Sequence, residues 1–231
     1  MTAMRSLHTQ RLLLGCGVLA GPLFTVAHLA GSATRAHYSA VRHPISSLAI
    51  GEHGWTQTAC FLVTGILTLA FAAGTWRASR PVGGPLFGPL LIGAWAVGLL
   101  GAGLFRADPV SGYPPGTPGR VDYTTLGLLH DTFSLAGFAG LIAAFFVFAR
   151  RFVRAGSPRP AAASAVAGVA FLVLLQLSGL AFDQNASLVD HGGLLQRGAV
   201  TVGLGWLTWL ALHLLKEPRR EIPRRRGQSC Q

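Results

Sequence analysis

Apolar and polar residues in this chain do not alternate; they come in blocks. Six blocks, 12–30, 55–75, 86–105, 125–148, 161–182 and 198–215, are apolar on every side of a helical projection, not along one stripe. Each is close to the ~20 residues a helix needs to cross a bilayer. The pattern predicts an all-α polytopic membrane protein, a bundle of six transmembrane helices. The links between blocks carry helix breakers: "SRPVGGP" at 79–85, "ADPVSGYPPGTPG" at 107–119 and "AGSPRP" at 155–160. Little chain is left for a soluble domain: residues 1–11 precede the first span, 12–215 form the membrane domain, and 216–231 form a basic tail.

Composition agrees. Only 12% of residues are charged and 51% are hydrophobic, against roughly 25% charged in an average soluble domain. The net charge of +11 raises three readings: nucleic acid, anionic lipid, or an orientation signal. Placement separates them. Arg5, Arg11, Arg77, Arg80, Arg150, Arg151, Arg154, Arg159, Lys216, Arg219, Arg220, Arg224, Arg225 and Arg226 fall on one side, fourteen in all, while Arg35, Arg42, Arg106, Arg120 and Arg197 make five on the other. Under the positive-inside rule both termini are cytoplasmic, in a multi-pass protein of the cell membrane. The tail is then a topology anchor, and no nucleic-acid partner is expected. The first block has the basic flank of a signal peptide and a small-residue "GSA" at 31–33, but it is longer than the usual apolar core of one. Cys16 and Cys60 lie in spans and Cys230 in the tail, so no disulfide is implied. Asn185-Ala186-Ser187 is an acceptor sequon in an outer loop.

With that topology, titratable groups gather on the outer face. Glu52, Asp108, Asp122, Asp131, Asp183 and Asp190 lie there, as do His28, His37, His43, His53, His130 and His191. Exclusion of Lys and Arg from outer loops explains part of this. It does not explain ionisable residues at helix ends, where burial is expensive. The candidates for chemistry are His130, Asp131, His43 and Ser46; those for ligand binding are Glu52, His53, Asp108, Tyr113, Asp183, Asp190 and His191. Each also has an ordinary reading. Asp108 before Pro109 suits a cap or turn, Asp122 is placed to cap the fourth span, and His130 and Ser134 share a helix face where a hydrogen bond serves packing. Trp55, Tyr113 and Tyr123 fall where an interfacial aromatic belt belongs.

His130, Asp131, Asp190 and His191 supply enough donors for a metal, but no His-x-x-x-His or Cys-x-x-Cys spacing occurs, and no clear motif requires a cofactor. Ser46 or Ser47 beside His43, with Asp131 or Asp190, would supply a nucleophile, base and acid, without a Gly-x-Ser-x-Gly elbow. Glycines within spans, as in Gly17-x-x-x-Gly21 and "GLLGAG" at 98–103, read as close helix packing. An internal echo pairs "GLFRAD" (103–108) with "GLAFDQ" (179–184), and "GLLHD" (127–131) with "GLLQR" (193–197). Duplicated hairpins are common in transporters, yet the spans hold no charge at mid-depth.

The outer loops carry a further signal. "HPISSLAIGEHGW" (43–55), "LFRADPVSGYPPGTP" (104–118) and "GLLHD" together resemble a family of bacterial and archaeal integral membrane proteins known as domain of unknown function 998. The resemblance spans roughly 12–215, implies a six-span helical membrane protein, and supplies no activity, substrate or catalytic residues. In that pattern an acidic residue often stands where this chain has Ser47, which weakens any role inferred for the Ser46 region. The leading expectation is an outer polar pocket lined by His, Asp and Ser that recognises or hydrolyses an amphiphilic, lipid-like ligand; if the protein is an enzyme, it is a membrane-embedded hydrolase. A structural or regulatory subunit binding a partner protein through its outer loops is the alternative, and a small-solute transporter the third.

Overall fold

The computed structural model describes residues 2–79 and 86–216, with side chains over 7–78 and 86–216. The tail beyond Lys216, with its arginines, Glu217, Glu221 and Cys230, lies outside the described residues, as do Arg80 and the Arg5 side chain. Six helices run α1 (Thr2–Thr34), α2 (Trp55–Ser79), α3 (Phe87–Leu104), α4 (Thr125–Arg154), α5 (Pro158–Phe182) and α6 (Gly192–Lys216). Short 3₁₀ turns cover Ile45–Ala49 and Val189–His191. No strand occurs among the described residues, and all six helices contain a stretch long and apolar enough to cross a membrane.

Several helices outrun the apolar blocks. The 30 residues of α4 make a rod of about 45 Å, against a hydrocarbon core of about 30 Å. A polar sequence such as "ARRFVR" at its end stays helical because the backbone bonds of the last turns are as favourable in the headgroup zone as in the core.

The start of α4 shows how the loops are tied to the helices. Thr124 is its N-cap, its hydroxyl accepting from the Gly127 N–H at 3.1 Å. Asp108, at the far end of the preceding loop, accepts from the Thr124 N–H at 2.7 Å and from its hydroxyl at 2.8 Å. Asp108 is thus a capping residue acting across the loop, whereas Asp122, expected to cap α4, is exposed and Thr124 holds that position. A carboxylate at a helix N-terminus also meets the positive end of its dipole.

Each helix packs on its sequence neighbours, and α6 returns to α1, so the bundle closes into a ring. At the α3–α4 crossing the backbones touch: a Cβ on Gly98 would lie 2.7 Å from the Gly137 Cα. Small residues permit this approach, and in lipid it is what holds helices together. The half of the ring towards the short links is filled by aromatic and aliphatic side chains, with Phe71, Phe145, Phe148 and Phe171 fully buried and Phe145 4.4 Å from Trp206. Outward-facing Leu12, Val26, Ile66, Leu90 and Val166 are exposed and contact lipid.

At the opposite end the three longer connections, 35–54, 105–124 and 183–191, meet. Arg42 Nε donates to the Ser111 carbonyl at 3.2 Å, Gln184 Nε2 to the Gly119 carbonyl at 2.9 Å, and the Gly193 and Leu194 N–H groups to the carbonyls of Arg42 and Val41 at 3.1 and 2.9 Å. This long-loop end is where the candidate residues lie.

Candidate functional site

A cavity of about 390 Å³ opens inside the ring at the long-loop end. Position along the helices gives its depth. Phe138 lies 13 residues into α4 and Asp131 six, or about 20 Å and 9 Å from the helix start. Deep walls come from Phe24, Phe61, Leu99, Phe138, Leu175 and Val200; the rim comes from Asp108, Tyr123, Asp131 and Asp183, with Ser46, His130 and Gln196 between.

His130 is the best-defined group. It is only 3% exposed, and its Nδ1 lies 3.1 Å from the Ala102 carbonyl and 2.9 Å from that of Phe105. Both oxygens can only accept, so Nδ1 must carry the proton and donate. In the neutral ring that leaves Nε2 with a lone pair and, in this structure, no protein partner. The two carbonyls belong to the unsatisfied end of α3, so the same bond closes that helix and fixes the imidazole. Tyr123, on the rim, holds its phenol proton more tightly than usual, through burial first and then the neighbouring Asp131 carboxylate.

The candidates divide. His130, Asp131, Ser46, Asp108 and Asp183 come together around the cavity, and Ser134 joins His130 there. His43 and Tyr113 do not line it. His43 is buried, its Nδ1 accepting from the Ser39 N–H at 2.9 Å, and its ring lies 5.1 Å from Tyr113 and 5.4 Å from Tyr38. Ser46 and His43 therefore do not form a nucleophile–base pair. Burial, then Arg42 and Arg197, hold the His43 pKa below its ordinary value. Tyr113 is buried at 6% exposure instead of joining an interfacial belt, while Trp55 at the start of α2 is exposed. Glu52 and His53 are exposed in the turn before α2, where the His53 carbonyl accepts from Arg35. Asp190 is exposed and ion-paired with Arg42 at 2.8 Å; His191 is exposed beside it. Of the four metal candidates only His130 and Asp131 face the cavity, and among the described residues no group of three or more His, Cys, Asp and Glu side chains is arranged to hold a metal.

The role of Arg197 is not legible from residue type or spacing. It is 8% exposed on α6 and donates through Nη1 to the carbonyls of Ala40, His43 and Gly193 at 2.7, 3.0 and 3.1 Å, and through Nη2 to Ser32 Oγ and Tyr38 Oη at 3.1 and 2.5 Å. The Tyr38 phenol is held protonated above its usual range by burial, against the pull of that guanidinium. Gly193 lets the loop seat here, since a Cβ would lie 2.4 Å from the His43 carbonyl. Gln196, one residue earlier, accepts from the Ile45 N–H at 2.8 Å and lines the cavity.

The architecture and these loop segments agree with a family model described as "Protein of unknown function (DUF998)", which matches residues 18–213. The chain belongs to the DUF998 family. The matched region takes in the DUF998 ring of six helices, the cavity, and the Arg197 cluster. The comparison with curated proteins found no match, and neither did that with solved structures.

Proposed function

We propose that this DUF998 protein binds an amphiphilic, lipid-like molecule in the cavity, taken from the outer leaflet of the cell membrane. The arginine asymmetry, fourteen basic residues on one side against five on the other, supports an outer placement of the long-loop end with both termini cytoplasmic. One observation carries the reading: a single cavity runs from an aromatic and aliphatic floor to a rim of carboxylates and a phenol. A hydrocarbon chain suits the floor and a polar head suits the rim. The Nε2 lone pair of His130 is a base in position to take a proton from a water at the head group, with Asp131 at the next position to stabilise the imidazolium, so hydrolysis is the chemistry this site would add to binding.

Native mass spectrometry of protein purified in mild detergent tests this. The wild type is expected to retain a bound amphiphile that His130→Ala loses while keeping its melting temperature within a few degrees. A wild type that carries nothing, or that instead holds a stoichiometric protein partner at its long-loop end, overturns the proposal.

A further inference from the structure

The charge of the cavity selects the class of head group, an inference that rests on the amphiphile reading above. Asp108, Asp131 and Asp183 lie on the rim, and no arginine or lysine is among the lining residues. Of the arginines at this end, Arg197 is engaged by five neutral oxygens, Arg42 by Asp190 and Ser111, and Arg35 by the carbonyls of Leu48 and His53 and by Thr56; Arg106 and Arg120 are exposed and outside the lining, Arg106 bordering Asp108 in a separate shallow pocket. A phosphate or carboxylate head would face three like charges with no cation in the cavity lining, a repulsion that costs more at a half-desolvated rim than in water.

Two observations independent of the carboxylates point to a ligand. His130, 3% exposed, presents Nε2 as an acceptor with no protein partner. Deeper in the wall, Trp95 is 3% exposed and its indole N–H, which can only donate, has no acceptor. A buried donor without a partner costs roughly 1–3 kcal/mol, and an oxygen of the ligand removes that cost. Rim carboxylates that call for a cation, with a floor donor that calls for an oxygen, define one kind of molecule.

We infer that the cavity takes an amine-bearing amphiphile: a primary or quaternary ammonium at Asp131, Asp183 and the Tyr123 ring, an ether, ester or hydroxyl oxygen within reach of Trp95, and a hydrocarbon chain on the aromatic floor. The aromatic ring adds to the carboxylates because a cation is attracted to its face. The same chemistry occurs in an amine-headed membrane lipid and in a soluble alkylamine.

The full chain in dodecyl maltoside is titrated with dodecylamine, dodecyltrimethylammonium, dodecyl phosphate and monolauroylglycerol, with binding read by native mass spectrometry and by tryptophan fluorescence. Both ammonium probes are expected to bind at least tenfold more tightly than dodecyl phosphate. Asp131→Asn combined with Asp183→Asn removes that preference, with roughly a tenfold loss per carboxylate for dodecylamine, the size of one charge-assisted hydrogen bond; dodecyltrimethylammonium, which has no N–H, loses only its Coulombic attraction. A co-purified amine lipid identifies the membrane as the source; uptake of dodecylamine by protein that emerges empty identifies a soluble amphiphile. Equal or tighter binding of dodecyl phosphate, or an ammonium preference untouched by the double variant, overturns the inference and leaves the amphiphile reading standing. Failure of all four probes to bind overturns both.

Discussion

Two polar clusters share the long-loop end, and they differ in how their hydrogen-bonding capacity is used. Around Arg197 five acceptors converge on one guanidinium, and Tyr38, His43 and Tyr113 stack edge and face at 5.1–5.4 Å. Around His130 only one ring nitrogen is engaged, the Asp131 carboxylate has the Tyr123 phenol as its hydrogen-bond partner, and both Asp131 and Asp183 line the open cavity. A nearly saturated cluster fastens parts of the fold to one another; an unsaturated one beside a cavity has capacity left for something else. Judged by residue type alone, both would pass as candidate sites.

The difference is sharpest under substitution. Arg197→Met is expected to cost the most, about 3 kcal/mol, because it strands three buried carbonyls while keeping similar bulk; reversible denaturation in mixed micelles measures it, and a loss below ~1 kcal/mol would break the contrast. His130→Phe comes next at about 1–2 kcal/mol, the two α3 carbonyls being left without their donor. That variant should lose bound amphiphile out of proportion to its stability, whereas Arg197→Met should lose it only as far as it unfolds.

Acidification probes the saturated cluster through His43. His43 accepts at Nδ1 and its pKa is depressed, so the folded protein binds this proton less readily than the unfolded chain does. Stability is therefore full above about pH 6.5, the ordinary histidine value, and falls as pH drops below it towards the lower folded value. A thermal melt series from pH 7.5 to 5.0 should show this decline, flattened in His43→Gln; an unchanged slope would remove His43 as its cause. The smallest effect is expected for Asp190→Asn. The Arg42–Asp190 pair has side chains 39% and 69% exposed, and solvent screening leaves it about 0.5 kcal/mol or less.

Legibility followed the physics. His130, Asp131, Asp108 and Asp183, which line the cavity, stand out in the sequence because an ionisable residue at a helix end is costly to bury. That His43 and Tyr113 pack away from the cavity is not legible in the sequence, because a loop residue's direction depends on what packs above it, which neither spacing nor charge encodes. The internal echo held the signal that would have found more: "GLLHD" and "GLLQR" place His130 and Gln196 at matching positions, and both line the cavity, while the following pair, Asp131 and Arg197, have parted into rim and clamp. Asp108 and Gln184, matched in the other half of the echo, each reach across to a loop or helix start.

By itself the sequence determined the six helices, their membrane class and the gathering of titratable groups at one end. These are local properties: twenty consecutive apolar residues need satisfied backbone bonds in lipid, and only a helix supplies them within one segment. The tertiary structure alone decided that the helices close into a ring, that the three long connections meet, and that Arg197 fastens one cluster while His130 fronts a cavity. Those outcomes depend on contacts between residues far apart in the chain, as in Arg197 with Ser32, 165 positions away, and Thr208 with Gly17, 191 away, and no periodicity along the chain records which helix will face which.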